Sequence, residues 1–125
     1  MKLLIVEDSL LLKGKIVEML SSIDRLEIVG MSGEPKDAID LINRTRPEMV
    51  ILDVKLQEGS GIDVLRYVKQ EHPRTIVVMF TNYLYPQIVE KCTELGADYF
   101  FDKSKDFNKL KGIVADQSKK NNVLR

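Results

Sequence analysis

The chain has 125 residues, 44% of them hydrophobic and 30% charged, with 19 Lys and Arg balanced by 19 Asp and Glu. That length suits one domain able to bury a core without disulfides or a structural metal, and a formal net charge of +0 gives no general pull toward nucleic acid or an anionic membrane, so neither is expected as a partner of this chain alone. The single cysteine, Cys92, cannot form an internal disulfide and reads as a small core residue, as suits a reducing compartment.

The apolar run at residues 3–6 is far too short for a signal peptide or a membrane span, and it turns acidic at once with Glu7 and Asp8. It reads as the first strand of a cytoplasmic protein. Leu12, Ile16, Met19, Leu20 and Ile23 then recur at helical spacing. Residues 27–31 predict a second strand, followed by a helix opening at Pro35 with Ala38, Leu41 and Ile42 on one face. A third strand, residues 49–52, runs into Asp53. Gly59 and Gly61 read as turn glycines ahead of a helix bearing Leu65 and Val68. The fourth strand, residues 76–80, leads to Thr81 and Asn82. A helix opening at Pro86 follows, with Ile88, Val89, Cys92 and Leu95 as its stripe and Gly96 as its stop. Residues 99–101 predict the fifth strand, and Ser104 the cap of a last helix carrying Phe107, Leu110, Ile113 and Val114. Lys119, Lys120, Asn121 and Asn122 predict a polar tail over residues 119–125.

Five β-then-α units in strict alternation imply parallel strands joined by right-handed crossovers with helices on both faces. The expected fold is therefore α/β, a three-layer doubly wound sheet of five strands with five helices, as one domain over residues 1–118.

In such a sheet ligands bind beyond the carboxyl ends of the strands, where the strand order reverses. Glu7 and Asp8 end the first strand, Asp53 the third, Thr81 and Asn82 the fourth, and Lys103 follows the fifth. Singly, each reads as a loop or capping residue, and Asp8 and Ser9 would cap a helix well. Together they place three carboxylates, a hydroxyl and an ammonium at one edge. One lysine does not neutralise three acids, whereas a divalent cation would. Mg2+ takes oxygen ligands from one or two carboxylates, waters and a phosphate; zinc is disfavoured, because no Cys or second His lies at ligand spacing. A carboxylate can also be a nucleophile that forms an aspartyl phosphate, and Asp53 is the best placed of the three. Cationic stabilisation and a hydrogen bond from Thr81 would then serve phosphoryl transfer. His72 lies in a helix end and loop, Glu71-His72-Pro73-Arg74, and has no expected chemical role.

Leu3-Leu4-Ile5-Val6-Glu7-Asp8-Ser9, Val50-Ile51-Leu52-Asp53 with Gly61, Thr81, and Gly96-Ala97-Asp98 leading to Lys103 occur in that order. With these motifs the sequence resembles the chemotaxis-type receiver domains of bacterial two-component response regulators over nearly its whole length. The resemblance implies a flavodoxin-like strand order 2-1-3-4-5. It implies that Asp53 takes phosphate from a sensor histidine kinase or phosphotransfer protein, or from small acyl phosphates, without the chain being an enzyme beyond weak self-dephosphorylation. Mg2+ would be held by Asp8, by Glu7 through water, by Asp53 and by the backbone carbonyl of Lys55. Lys103 would pair with the phosphoryl group. Thr81 and Phe100 would pass the change to the face formed by the fourth helix, fifth strand and fifth helix, where an effector or a second copy would dock. Four positions depart from the usual pattern: Asn82 replaces a small residue, Phe100 a tyrosine, Gln57 a proline, and Ser104 the proline after the lysine.

Two other functions compete. A degenerate receiver would bind proteins without phosphate, a reading opposed by the intact acids, Thr81 and Lys103. An aspartyl-nucleophile phosphatase normally carries an acid/base aspartate two residues after its nucleophile, and Lys55 stands there instead.

Overall fold

Alternation of side chains along each strand sets the architecture, because every central strand is apolar on both faces and must be covered twice. The computed structural model describes residues 1–124. Its elements are β1 (Lys2–Val6), α1 (Leu10–Leu20), β2 (Glu27–Ser32), α2 (Pro35–Thr45), β3 (Met49–Leu52), α3 (Gly61–Glu71), β4 (Ile76–Thr81), α4 (Pro86–Glu94), β5 (Tyr99–Asp102) and α5 (Phe107–Leu124), with a small antiparallel hairpin, arms Lys55–Leu56 and Gly59–Ser60, between β3 and α3. The five main strands form one parallel sheet in the order β2-β1-β3-β4-β5, the order implied by the resemblance.

Two cores result. On one face Leu4, Val6, Val50, Leu52, Val77 and Met79 meet Ala38 and Ile42 of α2, Val64, Leu65 and Val68 of α3, and Cys92 of α4. On the other, Leu3, Ile5, Ile51, Val78 and Phe80 meet Ile16 and Leu20 of α1 and Leu110 and Val114 of α5. Phe80 is the largest fully buried side chain and takes the Phe107 ring edge-on at 5.1 Å between centroids. Truncating such a residue to alanine costs roughly 3–5 kcal/mol.

Helix ends follow local chemistry. Ser9 caps α1 by accepting from the Leu12 N–H, and Ser60 caps α3 by accepting from the Ile62 N–H. Pro35 and Pro86 open α2 and α4, and Gly96, at φ 100°, lies just past the end of α4 in the left-handed region that favours glycine.

Ser104 does not cap α5. The Asp106 carboxylate accepts from the Asp102 N–H, the Asp106 carbonyl accepts from the Leu110 N–H, and Ser104 sits in the preceding turn with its N–H on Asp102 Oδ1. Nor does the helix stop at residue 118. α5 runs on to Leu124, so the segment expected as a tail is helical that far, and Arg125 lies outside the described residues.

Candidate functional site

Neighbouring β1 and β3 run in register, Val6 opposite Leu52, so the residues that follow them leave the sheet side by side. Backbone bonds hold both: the Glu7 N–H donates to the Ser32 carbonyl at 2.8 Å and the Asp53 N–H to the Val6 carbonyl at 3.0 Å. Glu7 and Asp53 are buried, at 2% and 5% exposure, while Asp8 faces solvent. Carboxylate oxygens of all three lie within 4.8 Å of one another.

Lys103 arrives from β5, its N–H donating to the Thr81 carbonyl at 3.1 Å. Its ammonium donates to Asp53 Oδ2 at 2.5 Å and meets Glu7 Oε1 at 2.6 Å. The remaining oxygens of the buried pair use backbone donors: Asp53 Oδ1 accepts from the Val54 N–H at 2.7 Å and Glu7 Oε2 from the Ser9 N–H at 2.9 Å. The Asp8 carboxylate takes no hydrogen bond or ion pair among the described residues.

Charge is unbalanced, three acids to one ammonium. Burial pushes the Glu7 carboxyl above its ordinary range and the Asp53 charge adds to this, against the pull of Lys103 and the Ser9 N–H. For Lys103 burial works against the charge. The hydrogen bonds and charges of Asp53 and Glu7 outweigh it, so the ammonium is held above its usual range.

The donor set is hard oxygen throughout, with an exposed carboxylate still unengaged, and it suits a Mg2+-type cation. Lys55 stands two residues after Asp53 in the hairpin, with its side chain exposed and its ammonium 5.9 Å from the centroid of the Tyr83 ring.

Thr81 is fully buried at the end of β4, and its hydroxyl accepts from the Tyr83 N–H at 3.2 Å. Among the described residues it makes no bond to Asp53. Phe100, half-buried on β5 opposite Met79, packs against the core on the α2–α4 side. Glu7, Asp8, Asp53 and Lys103 are therefore brought together, Thr81 and Lys55 flank them, and Phe100 belongs to the adjoining core.

Other residues at the site carried weaker signals. Gly61 read as a turn residue, but a Cβ there would lie 1.8 Å from the Asp53 carbonyl oxygen, so α3 can begin against the acid loop only with glycine. Its N–H donates to the Val54 carbonyl at 2.6 Å. The departures Asn82 and Ser104 meet each other, the Ser104 hydroxyl donating to Asn82 Oδ1 at 3.2 Å. No cis peptide bond occurs among the described residues. The backbone donors of Ser9 and Val54 have no side-chain signature at all.

His72 lies at the end of α3, its Nε2 3.0 Å from Asn43 Oδ1, an oxygen that also accepts from the Tyr67 hydroxyl. Tyr83 is half-buried against the core, whereas Leu84 and Tyr85 are exposed. Cys92 is buried, and burial pushes its thiol up. No helix among the described residues is long and apolar enough to cross a membrane.

Comparison with known proteins agrees with this geometry. The protein-glutamate methylesterase/protein-glutamine glutaminase of Hydrogenovibrio crunogenus is 33% identical over 101 residues, 81% of this chain and 24% of that protein. The response regulator protein VraR of Staphylococcus saprophyticus is 27% identical over 103 residues, 82% of this chain and 49% of that protein. The chain thus spans about a quarter to a half of these relatives. Among solved structures, the signal receiver domain of a Luxo repressor protein from Vibrio parahaemolyticus matches with a TM-score of 0.85 at 28% identity, covering 99% of this chain and 96% of that one. A LuxR-family DNA-binding response regulator from Staphylococcus aureus matches with a TM-score of 0.85 at 25% identity, covering 94% and 98%. Residues 3–115 match the response regulator receiver domain family, and with the sheet order and the acid edge in agreement, the chain belongs to that family.

Proposed function

We propose that Asp53 is the phosphoacceptor of a signalling switch, charged by a phosphohistidine of a sensor kinase or phosphotransfer protein. The observation that carries this reading is the Lys103 ammonium shared between Asp53 Oδ2 and Glu7 Oε1, with the free Asp8 carboxylate alongside. A carboxylate oxygen of Asp53 bonds to phosphorus as the phosphorus–nitrogen bond breaks, and the departing imidazole takes up a proton. Lys103 is already placed to meet charge on the phosphoryl oxygens. Thr81 gives up the Tyr83 amide to donate its hydroxyl to the same group.

Asp8, Asp53, the Lys55 carbonyl and, through water, Glu7 would hold Mg2+, which supplies the positive charge that the acids lack. Phe100 and Thr81 would carry the change to the surface of α4, β5 and α5, where an effector or a second copy docks. The chain acts as a cytoplasmic phosphoacceptor, with activity limited to taking phosphate from acyl phosphates and releasing it slowly.

Incubation with acetyl phosphate and Mg2+, followed by intact mass, tests the proposal. A gain of one phosphoryl group that disappears in EDTA and in Asp53→Asn is expected. An Asp53→Asn protein that gains phosphate as the wild type does would overturn it.

A further inference from the structure

At the foot of the sheet, where β3 and β4 begin, the chain forms a small recess. It lies opposite the acid edge, separated from it by the six residues of β4, roughly 20 Å. Arg46 and Pro47 line it from the turn before β3, and His72, Pro73, Arg74 and Thr75 from the turn before β4, around a volume of about 270 Å3. Pockets for drug-sized ligands run from about 300 Å3 upward, so this one suits a smaller guest. Its charge is one-sided. Arg44 and Arg66 pair with Asp40 and Asp63 on their own helices, whereas Arg46 and Arg74, both exposed, form no ion pair among the described residues. No carboxylate lines the recess. The carboxylate of Glu48, next in the chain after Pro47, accepts from the Lys2 N–H at 3.0 Å.

The recess is preformed. The buried Thr75 donates its hydroxyl to the Pro47 carbonyl at 3.2 Å and its N–H to the His72 carbonyl at 3.0 Å. The Ile76 N–H donates to the Glu48 carbonyl at 3.0 Å, so the two turns are stitched together. The His72 imidazole is half-buried, with Nε2 3.0 Å from Asn43 Oδ1. An amide oxygen only accepts, so Nε2 is the donor and Nδ1 is left without a partner among the described residues. Arg46 is held at φ 47°, in the left-handed region where glycine is at ease.

We infer that this recess binds the phosphate group of a small anion, either inorganic phosphate or a compact phosphate monoester. Two guanidinium forks match phosphate oxygens in pairs, and Nδ1 of a protonated His72 supplies a further donor. A tetrahedral group with three terminal oxygens uses all of these, which a carboxylate with two coplanar oxygens does not. The rings of Pro47 and Pro73 offer apolar surface to the few carbons of an ester. A nucleic-acid strand is a poorer match, because the recess has room for one phosphate and tracking a backbone takes many. This inference does not depend on the role of Asp53, which lies at the other end of the strands.

The test uses the full chain, isotopically labelled and free of divalent cations, titrated with inorganic phosphate and with glycerol 3-phosphate. Saturable amide shifts centred on residues 45–48 and 72–75 are expected, and malonate, a dianion with one pairing fewer, should bind about tenfold more weakly. Equal affinities for the two phosphates identify the free ion as the guest, and tighter binding of the ester places its carbons against the prolines; either result supports the inference. Arg46→Gly removes one fork where the backbone already favours glycine, so the fold is kept, and binding should weaken about tenfold, the size of one charge-assisted hydrogen bond. Arg74→Gln should do the same, Arg66→Gln should change nothing, and all three should keep wild-type labelling by acetyl phosphate. Should a variant fold poorly, the wild-type shift map and the malonate comparison decide. Shifts that chloride reproduces at equal ionic strength, shifts centred elsewhere, or affinity untouched by both recess substitutions would each overturn the inference. So would malonate binding as tightly as phosphate, or a phosphoserine peptide binding far more tightly than glycerol 3-phosphate.

Discussion

Asp8→Asn should make the metal-free protein more stable, although it alters a residue at the heart of the proposed site. The Asp8 carboxylate makes no bond that the substitution would break, since Ser9 provides the cap of α1. It lies within 4.8 Å of both Glu7 and Asp53 oxygens. At that separation each like-charge pair costs about 0.9 kcal/mol at the dielectric constant of water and about 3.5 kcal/mol at an effective value of 20. Asp8 is exposed, so the lower figure governs, and two pairs give about 1–2 kcal/mol. For a chain of this size that is a rise in Tm of about 3–6 °C in EDTA. Mg2+ should reverse the ranking. A cation that binds only the folded state at a hundred times its Kd adds about 2.7 kcal/mol, and the variant, short of one ligand, collects less of it. Urea melts of both proteins with EDTA and with Mg2+ check the prediction. A variant less stable than wild type in EDTA, or equally stabilised by Mg2+, would refute the reasoning.

Lys103→Met leaves Glu7 and Asp53 buried without their cation, and chemical denaturation in EDTA should show a loss of about 3 kcal/mol, partly restored by Mg2+. The raised Lys103 pKa implies stability that is complete below its unfolded value and is lost as pH rises through the folded one, so wild type and Lys103→Met should converge in alkaline melts. The raised Glu7 carboxyl has the same sense in a lower pH window, with stability lost as pH rises: protons stay on the folded chain above the unfolded value, so metal competes with a proton there. Mg2+ affinity by calorimetry should climb as pH rises from about 4.5 through the elevated Glu7 value and then level off. Gly61→Ala drives a methyl into the Asp53 carbonyl, and thermal melts should show a loss above about 3 kcal/mol together with reduced labelling by acetyl phosphate.

Most of the architecture was legible because burial on two faces leaves a plain record. Runs such as Met49-Val50-Ile51-Leu52 are apolar at every position, and the helical stripes bearing Ile16, Ala38, Leu65 and Leu110 point inward as their spacing requires. The site was legible for a related reason: parallel strands end together, so acids that close successive apolar runs converge. The misses are local. Two-residue arms such as Lys55–Leu56 and Gly59–Ser60 are too short for periodicity to show. Ser104 misses the cap because a turn intervenes after Lys103 and puts Asp106, not Ser104, directly before α5, a detail that spacing cannot supply. Lys119 and Lys120 look like a tail by polarity, yet extending a formed helix by one residue costs little and needs no apolar face.

The hydrogen bond from the Tyr83 amide to Thr81 has a consequence for signalling fidelity. In the proposed switch, moving the threonine would exchange one neutral bond, worth about 0.5–1.5 kcal/mol, for a charge-assisted one worth about 1.5–3. The threonine's own share of the bias is then near 1 kcal/mol, a factor of about five in population. A fivefold shift from the threonine alone would leave little contrast between silence and signal, and the rest would have to come from whatever partner reads the far side of the sheet.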